Sequence, residues 1–73
     1  MDDYAVLVAK VLAGDFIPSV QLLVELEQAL VMAKARLMVA APNTSTWYFL
    51  RVFAGECQQA INLVQWGEKE VVA

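Results

Sequence analysis

The stretch LLVELEQALVMAKARLMVAAP, residues 22–42, decides the fold of this chain. Its apolar residues recur at three- and four-residue spacing, a pattern that predicts an amphipathic helix. One face of this helix carries a continuous apolar seam, made of Leu23, Leu26, Leu30, Ala33, Leu37 and Ala40. A second apolar stripe lies on another side of the same helix. A surface helix needs only one such stripe, so something else must cover the second.

The composition shows that the excess of apolar residues extends over the whole chain. The chain has 73 residues, of which 60% are hydrophobic and 18% charged, whereas globular domains are about 45–50% apolar. A domain of this size leaves much of its surface in water. We therefore expect a single helical domain, residues 1–73, that has too few polar side chains to cover its own exterior.

Two helices are predicted in the first half of the chain. Residues 3–13 place apolar side chains at helical spacing, although the valine content leaves a strand as an open alternative. Gly14 provides a stop signal. Pro18 suits the first turn of the next helix because its φ is already helical. We therefore predict helix 2 over residues 18–40.

A third helix is predicted over residues 46–66. Pro42 ends the helix before it, Ser45 or Thr46 provides an N-cap, and Gly67 lies just past the last helical residue. This helix carries a matching seam, made of Leu50, Phe53, Cys57, Ala60 and Val64. A short linker favours antiparallel neighbours. The predicted fold is all-α: an antiparallel, coiled-coil-like hairpin with a short additional N-terminal helix.

Eight large apolar residues fall outside the two seams and form the candidate partner-binding surface. They are Val20, Val24, Val31, Met38, Phe49, Val52, Leu63 and Trp66. Each large apolar side chain left in water forfeits about 1.5–3 kcal/mol. The N-terminal helix packing over them is one alternative, but about three turns cover one stripe and hardly two. We expect another chain to cover the remainder.

Several other classes of function are disfavoured by the residues present. The longest uncharged run, Leu37–Leu50, is too short for a membrane span of about 18 residues. The chain has no His, so a structural zinc site and the commonest general base are missing. Cys57 falls on the seam, where it is expected to be a small buried hydrophobe. We expect no enzyme activity, no cofactor and no metal, and a start of Met1-Asp2-Asp3 favours a cytoplasmic protein.

Nucleic-acid binding is also disfavoured by the charge balance. The net charge is −3, from five basic and eight acidic residues, and affinity for nucleic acid rests largely on Lys and Arg contacts to phosphates. A small regulator that uses Lys34, Arg36 and Arg51 is the remaining form of that hypothesis. The aromatic segment TWYFLRVF, residues 46–53, is better explained as a protein-facing anchor, with Phe53 in the core.

The pattern over about residues 20–66 resembles a known family. Leu26, Glu27, Ala29 and Leu30 match a Leu-Glu-x-Ala-Leu element, Trp47 or Tyr48 matches an aromatic start of the second helix, and a final stretch follows with Ala60, Ile61, Leu63 and Val64. On these residues the chain is similar to the small co-chaperone subunits of type III secretion needle proteins (the YscE/PscE/EscE-like family). Gly55 in the third helix and the apolar N-terminal segment depart from that pattern.

The resemblance implies a function. Such a subunit binds and stabilises a larger helical-repeat chaperone in the cytoplasm, and the pair holds the needle subunit before export. On this interpretation the partners are that chaperone and, through it, the needle subunit. The alternative is a self-associating helical structural or adaptor protein, a dimer or tetramer without an export role, whose stripes cover one another.

Overall fold

Three helices make up the computed structural model, which describes the backbone of residues 2–72 and the side chains of residues 3–67. They are α1 (Asp2–Leu12), α2 (Val20–Val39) and α3 (Ser45–Val72). Over that backbone there is no strand, so the predicted all-α class is confirmed and the strand alternative for the N-terminal segment is wrong. The molecule is elongated, 44 × 18 × 17 Å, because α3 alone runs nearly its whole length.

The first helix ends at the predicted glycine. Gly14 has φ +81°, a conformation that costs a residue with a Cβ atom about 1–2 kcal/mol. Its N–H donates to the carbonyl of Val11 at 3.0 Å, and the Asp15 N–H donates to the carbonyl of Lys10 at 2.9 Å. These two bonds form a Schellman motif, which satisfies carbonyls that the helix end would otherwise leave unpaired.

The second helix begins two residues later than predicted. Ser19 is its N-cap, with an extended backbone and a side-chain oxygen that accepts a bond from the Leu22 N–H at 3.1 Å. Pro18 therefore lies before the helix and not within its first turn. A hydroxyl that satisfies a free N–H of the first turn sets the boundary more strongly than the helical φ of proline does.

A tight turn joins α2 to α3 and moves the predicted cap by one residue. Asn43 has φ +66°, which asparagine tolerates better than most residues. Thr44, and not Ser45 or Thr46, caps α3: its hydroxyl accepts from the Trp47 N–H at 3.2 Å and donates to the Ala41 carbonyl at 2.8 Å. One hydroxyl thus stabilises both the helix start and the turn before it.

The third helix continues six residues past its predicted end at Trp66, so the stop assigned to Gly67 is wrong. Gly67 lies within α3, where a Cβ atom would come within 2.8 Å of Pro18 Cγ and 3.9 Å of the Phe16 ring. The connector before α2 therefore packs directly on the α3 backbone. Glycine is present at this position for close approach and not to end a helix.

All three helices contribute to one apolar core. α2 packs against α3, and α1 packs against both. The buried side chains are Val8, Val11, Leu26, Ala29, Ala33, Leu50, Phe53, Cys57, Ala60, Ile61 and Val64. The predicted α3 seam is buried in full. On α2 the buried line is Leu26, Ala29 and Ala33, while the predicted Leu23, Leu30 and Leu37 are half-buried at its margin.

The two glycines of α3 allow a paired stability test. Nothing lies within 4 Å of a Cβ placed on Gly55, so Gly55→Ala is expected to raise the free energy of unfolding by about 0.5–1 kcal/mol. Overpacking costs about 1–3 kcal/mol, so Gly67→Ala should be at least about 1 kcal/mol less stable than Gly55→Ala. Urea denaturation of both variants measures the difference. Equal stabilisation by the two substitutions would show that Pro18 does not pack against α3.

Candidate protein-binding surface

The outer face of α2 carries the first exposed apolar surface, called here the α2 stripe: Val20, Val24, Val31 and Met38. At about 100° per residue, Val24 and Val31 lie about 140–160° around the helix from Leu26, which is fully buried. The α2 stripe therefore faces away from the core. Packing of α1 on the other helices leaves it uncovered.

The third helix carries the second exposed apolar surface, called here the α3 stripe: Phe49, Val52, Leu63 and Trp66. Glu56 and Gln59 interrupt it at helical spacing. Leu63 lines a shallow depression together with Leu12 at the end of α1, so α1 covers the margin of this stripe and not its centre.

All eight residues predicted as the partner-binding surface are exposed. Their exposed fractions run from 42% at Leu63 to 87% at Met38. The exposure includes Val31, Phe49 and Trp66, whose burial would have shown that the chain covers its own apolar surplus. The structure thus leaves the candidate surface accessible; which molecule binds it is a separate question.

The sequence patterns missed further exposed apolar residues. Ile17 and Val39 are each 85% exposed, and Val6 is 57% exposed. Tyr48, which is 51% exposed, belongs to the segment predicted as a protein-facing anchor. Ile17 lies in the connector before α2 and Val39 in the last turn of α2, so neither belongs to a helical stripe. The exposure of Val39 could have been predicted from its position next to Met38 at the end of a helix.

The aromatic segment at the start of α3 forms an ordered cluster. The Trp47 and Tyr48 rings meet edge to face, with centroids 4.9 Å apart, and the Arg51 guanidinium lies 5.4 Å from the Trp47 ring centroid. The Tyr48 hydroxyl donates to Asn43 Oδ1 at 3.2 Å, which ties the cluster to the turn. These contacts fix the side chains at low entropic cost, which is a favourable property in a binding surface.

A second aromatic contact joins the surface to the core. The rings of Phe49 and Phe53 are parallel, with centroids 5.9 Å apart. Phe53 is buried, as predicted, whereas Phe49 is 54% exposed. Phe49 thus rests on a rigid base while presenting its outer side to solvent.

The third helix also carries a polar face, which lies beside the α3 stripe. Its members are Arg51, Gln58, Asn62 and Gln65, all exposed. The Gln58 amide donates to Asn62 Oδ1 at 3.1 Å, a bond between residues four apart. This face is suited to remain in water when the apolar surfaces are covered.

Cys57 lies in the core and not on a surface. Its side chain has no exposed area. Burial raises the pKa of the Cys57 thiol above its usual value, and the Glu56 carboxylate beside it adds to the rise, while a hydrogen bond from its own backbone lowers it. A protonated, buried thiol is a poor nucleophile.

The described residues give no indication of a metal centre or a membrane span. Among them, no group of three or more His, Cys, Asp or Glu side chains is arranged to hold a metal ion. Within the same part of the chain, none of the helices combines the length and hydropathy that a bilayer crossing requires.

Comparison with known proteins adds no relative. No family model matches this chain, and neither a curated protein nor a solved structure matches it either.

The raised pKa of Cys57 predicts a pH dependence of stability. Above about pH 8.5, the ordinary pKa of a thiol, the unfolded chain loses the Cys57 proton before the folded chain does. The free energy of unfolding should therefore fall as pH rises through this range, by up to about 1.4 kcal/mol per pH unit. Cys57→Ala, compared with the wild type by urea denaturation from neutral to alkaline pH, should lack this part of the slope. Identical slopes would show that the thiol ionises equally in both states.

Proposed function

We propose that this chain is a small, non-enzymatic assembly subunit of the cytoplasm that binds other protein chains through the α2 stripe and the α3 stripe. The exposure of all eight stripe residues after α1 has packed on α2 and α3 carries this proposal. Several large apolar side chains exposed together on one surface mark an interaction site. The buried thiol and the lack of His support a role without catalysis.

The two long helices would act together as an antiparallel, coiled-coil-like hairpin. The five-residue connection between Val39 and Ser45 and the contact of Gly67 with Pro18 support this arrangement. In it, α1 and the connector support the hairpin from one side. Each long helix then presents its stripe from a backbone that the core holds rigid.

The resemblance over residues 20–66 supports a more specific form of the proposal. The chain would be the small co-chaperone of a type III secretion needle system. It would bind and stabilise a larger helical-repeat chaperone, and through that chaperone the needle subunit. Amphipathic helices of partner chains would cover the stripes, as in other helix-in-groove complexes.

Self-association without an export role is the second candidate. The arrangement of charges on α2 favours it: Glu25 and Glu27 lie in the first half of the helix, and Lys34 and Arg36 in the second. Two such helices attract one another when they run in opposite directions. The two candidates are compatible, because one stripe can pair with a second copy while the other binds a different protein.

Co-expression with the large needle chaperone encoded in the same genome tests the first candidate. Wild-type chain should copurify with that chaperone. Val52→Asp should reduce the recovered chaperone at least about tenfold, because it places a charge at the centre of an apolar contact. Val52 is 60% exposed, so circular dichroism should show unchanged helix content.

The matched control is Gln65→Asp. It adds the same charge to the polar face of α3, and the recovery of chaperone should match that of the wild type. Equal recovery with Val52→Asp would remove the α3 stripe from the interface. Absence of the chaperone from the wild-type preparation would rule out the needle-chaperone form of the proposal.

A further inference from the structure

The exposed face of α2 contains a depression that a side chain of another helix could fill. A shallow depression is lined by Val24, Glu27, Gln28, Val31, Met32 and Ala35. The first four of these have the i, i+3, i+4, i+7 spacing of a hole in knobs-into-holes packing, and the last four repeat that spacing one turn later. Among the side chains that the structure describes, none from another helix fills these holes. The depression has the shape that a second helix requires.

The charges beside this depression are complementary to themselves under a two-fold rotation. The charges are symmetric about the point between Leu30 and Val31, one residue after the middle of α2. Glu25 and Glu27 lie as far before this point as Arg36 and Lys34 lie after it. Glu27 and Lys34 lie on the same edge of the α2 stripe, and both are exposed. In an antiparallel pair, residues of this edge face the same edge of the other copy, so Glu27 of one copy approaches Lys34 of the other.

These charges have no partner in their own helix. The positions three and four residues from Glu27 and from Lys34 are all leucine, valine or methionine, and helical ion pairs form at those spacings. A parallel pairing would bring this edge against the opposite edge of the other copy, so Glu27 and Lys34 would not meet each other. The sign pattern therefore selects the antiparallel arrangement of two identical helices.

We propose that a second copy of this chain covers the α2 stripe, with the two α2 helices antiparallel about a two-fold axis near the middle of the helix. Val31 of each copy fills the hole formed by Gln28, Val31, Met32 and Ala35 of the other. Two symmetry-related contacts between Glu27 and Lys34 fix the register. Such an isologous interface closes on itself and gives a dimer, not a filament.

In this pairing the α2 stripe binds a second copy of the chain, and the α3 stripe remains available for a different protein. The α2 pairing deepens the proposed function but is argued from the geometry of α2 alone. Only the binding of a different protein by the α3 stripe rests on the proposed function. The α3 stripe lacks the corresponding pattern, because Glu56 interrupts it with no basic residue at a matching position. The dimer would therefore present two α3 stripes, one from each copy.

Sedimentation equilibrium of the full chain, over about two decades of concentration, tests the pairing. The wild type should be a reversible dimer. Glu27→Lys and Lys34→Glu should each weaken the dimer about tenfold, because each turns two attractive contacts into repulsive ones. The double variant, Glu27→Lys with Lys34→Glu, should restore the wild-type constant to within about threefold.

Two variants at apolar positions test where the interface lies. Val31→Asp should give a monomer, and Val52→Asp should leave the dimerisation constant unchanged. Both positions are more than half exposed, and circular dichroism with thermal melting checks that each variant folds.

Three results would overturn the proposal: a monomeric wild type, single charge reversals without effect, or a double reversal that fails to restore the dimer. Dissociation by Val52→Asp but not by Val31→Asp would also overturn it, since the copies would then meet through α3. The needle-chaperone copurification has a separate readout. Its failure with an intact α2 dimer would count against the proposed function alone.

Discussion

The contact between the alanine-rich face of α2 and the seam of α3 is the interaction on which the rest of the structure depends. Ala29 and Ala33 on one side and Ala60 and Cys57 on the other are all buried. Small side chains at a helix contact let the axes approach to the short end of the usual range of about 8–10 Å. Leu26 and Phe53 then fill the remaining space. A core this narrow holds few side chains, and that shortage shapes the whole surface.

The first helix enlarges the core without resolving the shortage. Val8 and Val11 are buried against the other two helices, and Tyr4 and Leu7 pack at the margin. The opposite side of α1 exposes Val6. Each apolar residue that α1 covers is therefore accompanied by apolar surface that α1 adds. In a chain of this length the ratio of surface to interior makes that exchange unavoidable.

The two apolar surfaces that remain differ in chemistry. The α2 stripe is aliphatic, lies on a helix with opposite charges in its two halves, and surrounds a depression with the spacing of a coiled-coil hole. The α3 stripe contains aromatic side chains that rest on core residues, as the stacked Phe49 and Phe53 show. Aromatic anchors on a rigid base are common at interfaces between different proteins. This difference is the physical ground for the proposal that the two surfaces bind different partners.

The sequence by itself determined the helical class, the buried seam of α3 and the exposed stripes, because these follow from a periodicity that is local to each helix. The sequence also marked the end of α1 at Gly14, whereas the folded chain decided where α3 begins and that α3 continues past Gly67. Which hydroxyl caps a helix depends on the turn before it, as Thr44 shows by its bond to Ala41. Gly67 continues α3 because Pro18 packs on it from a distant part of the chain, and no pattern around Gly67 records that neighbour. The docking of α1 was likewise open in the sequence, since a helix that is apolar nearly all round gives little directional information.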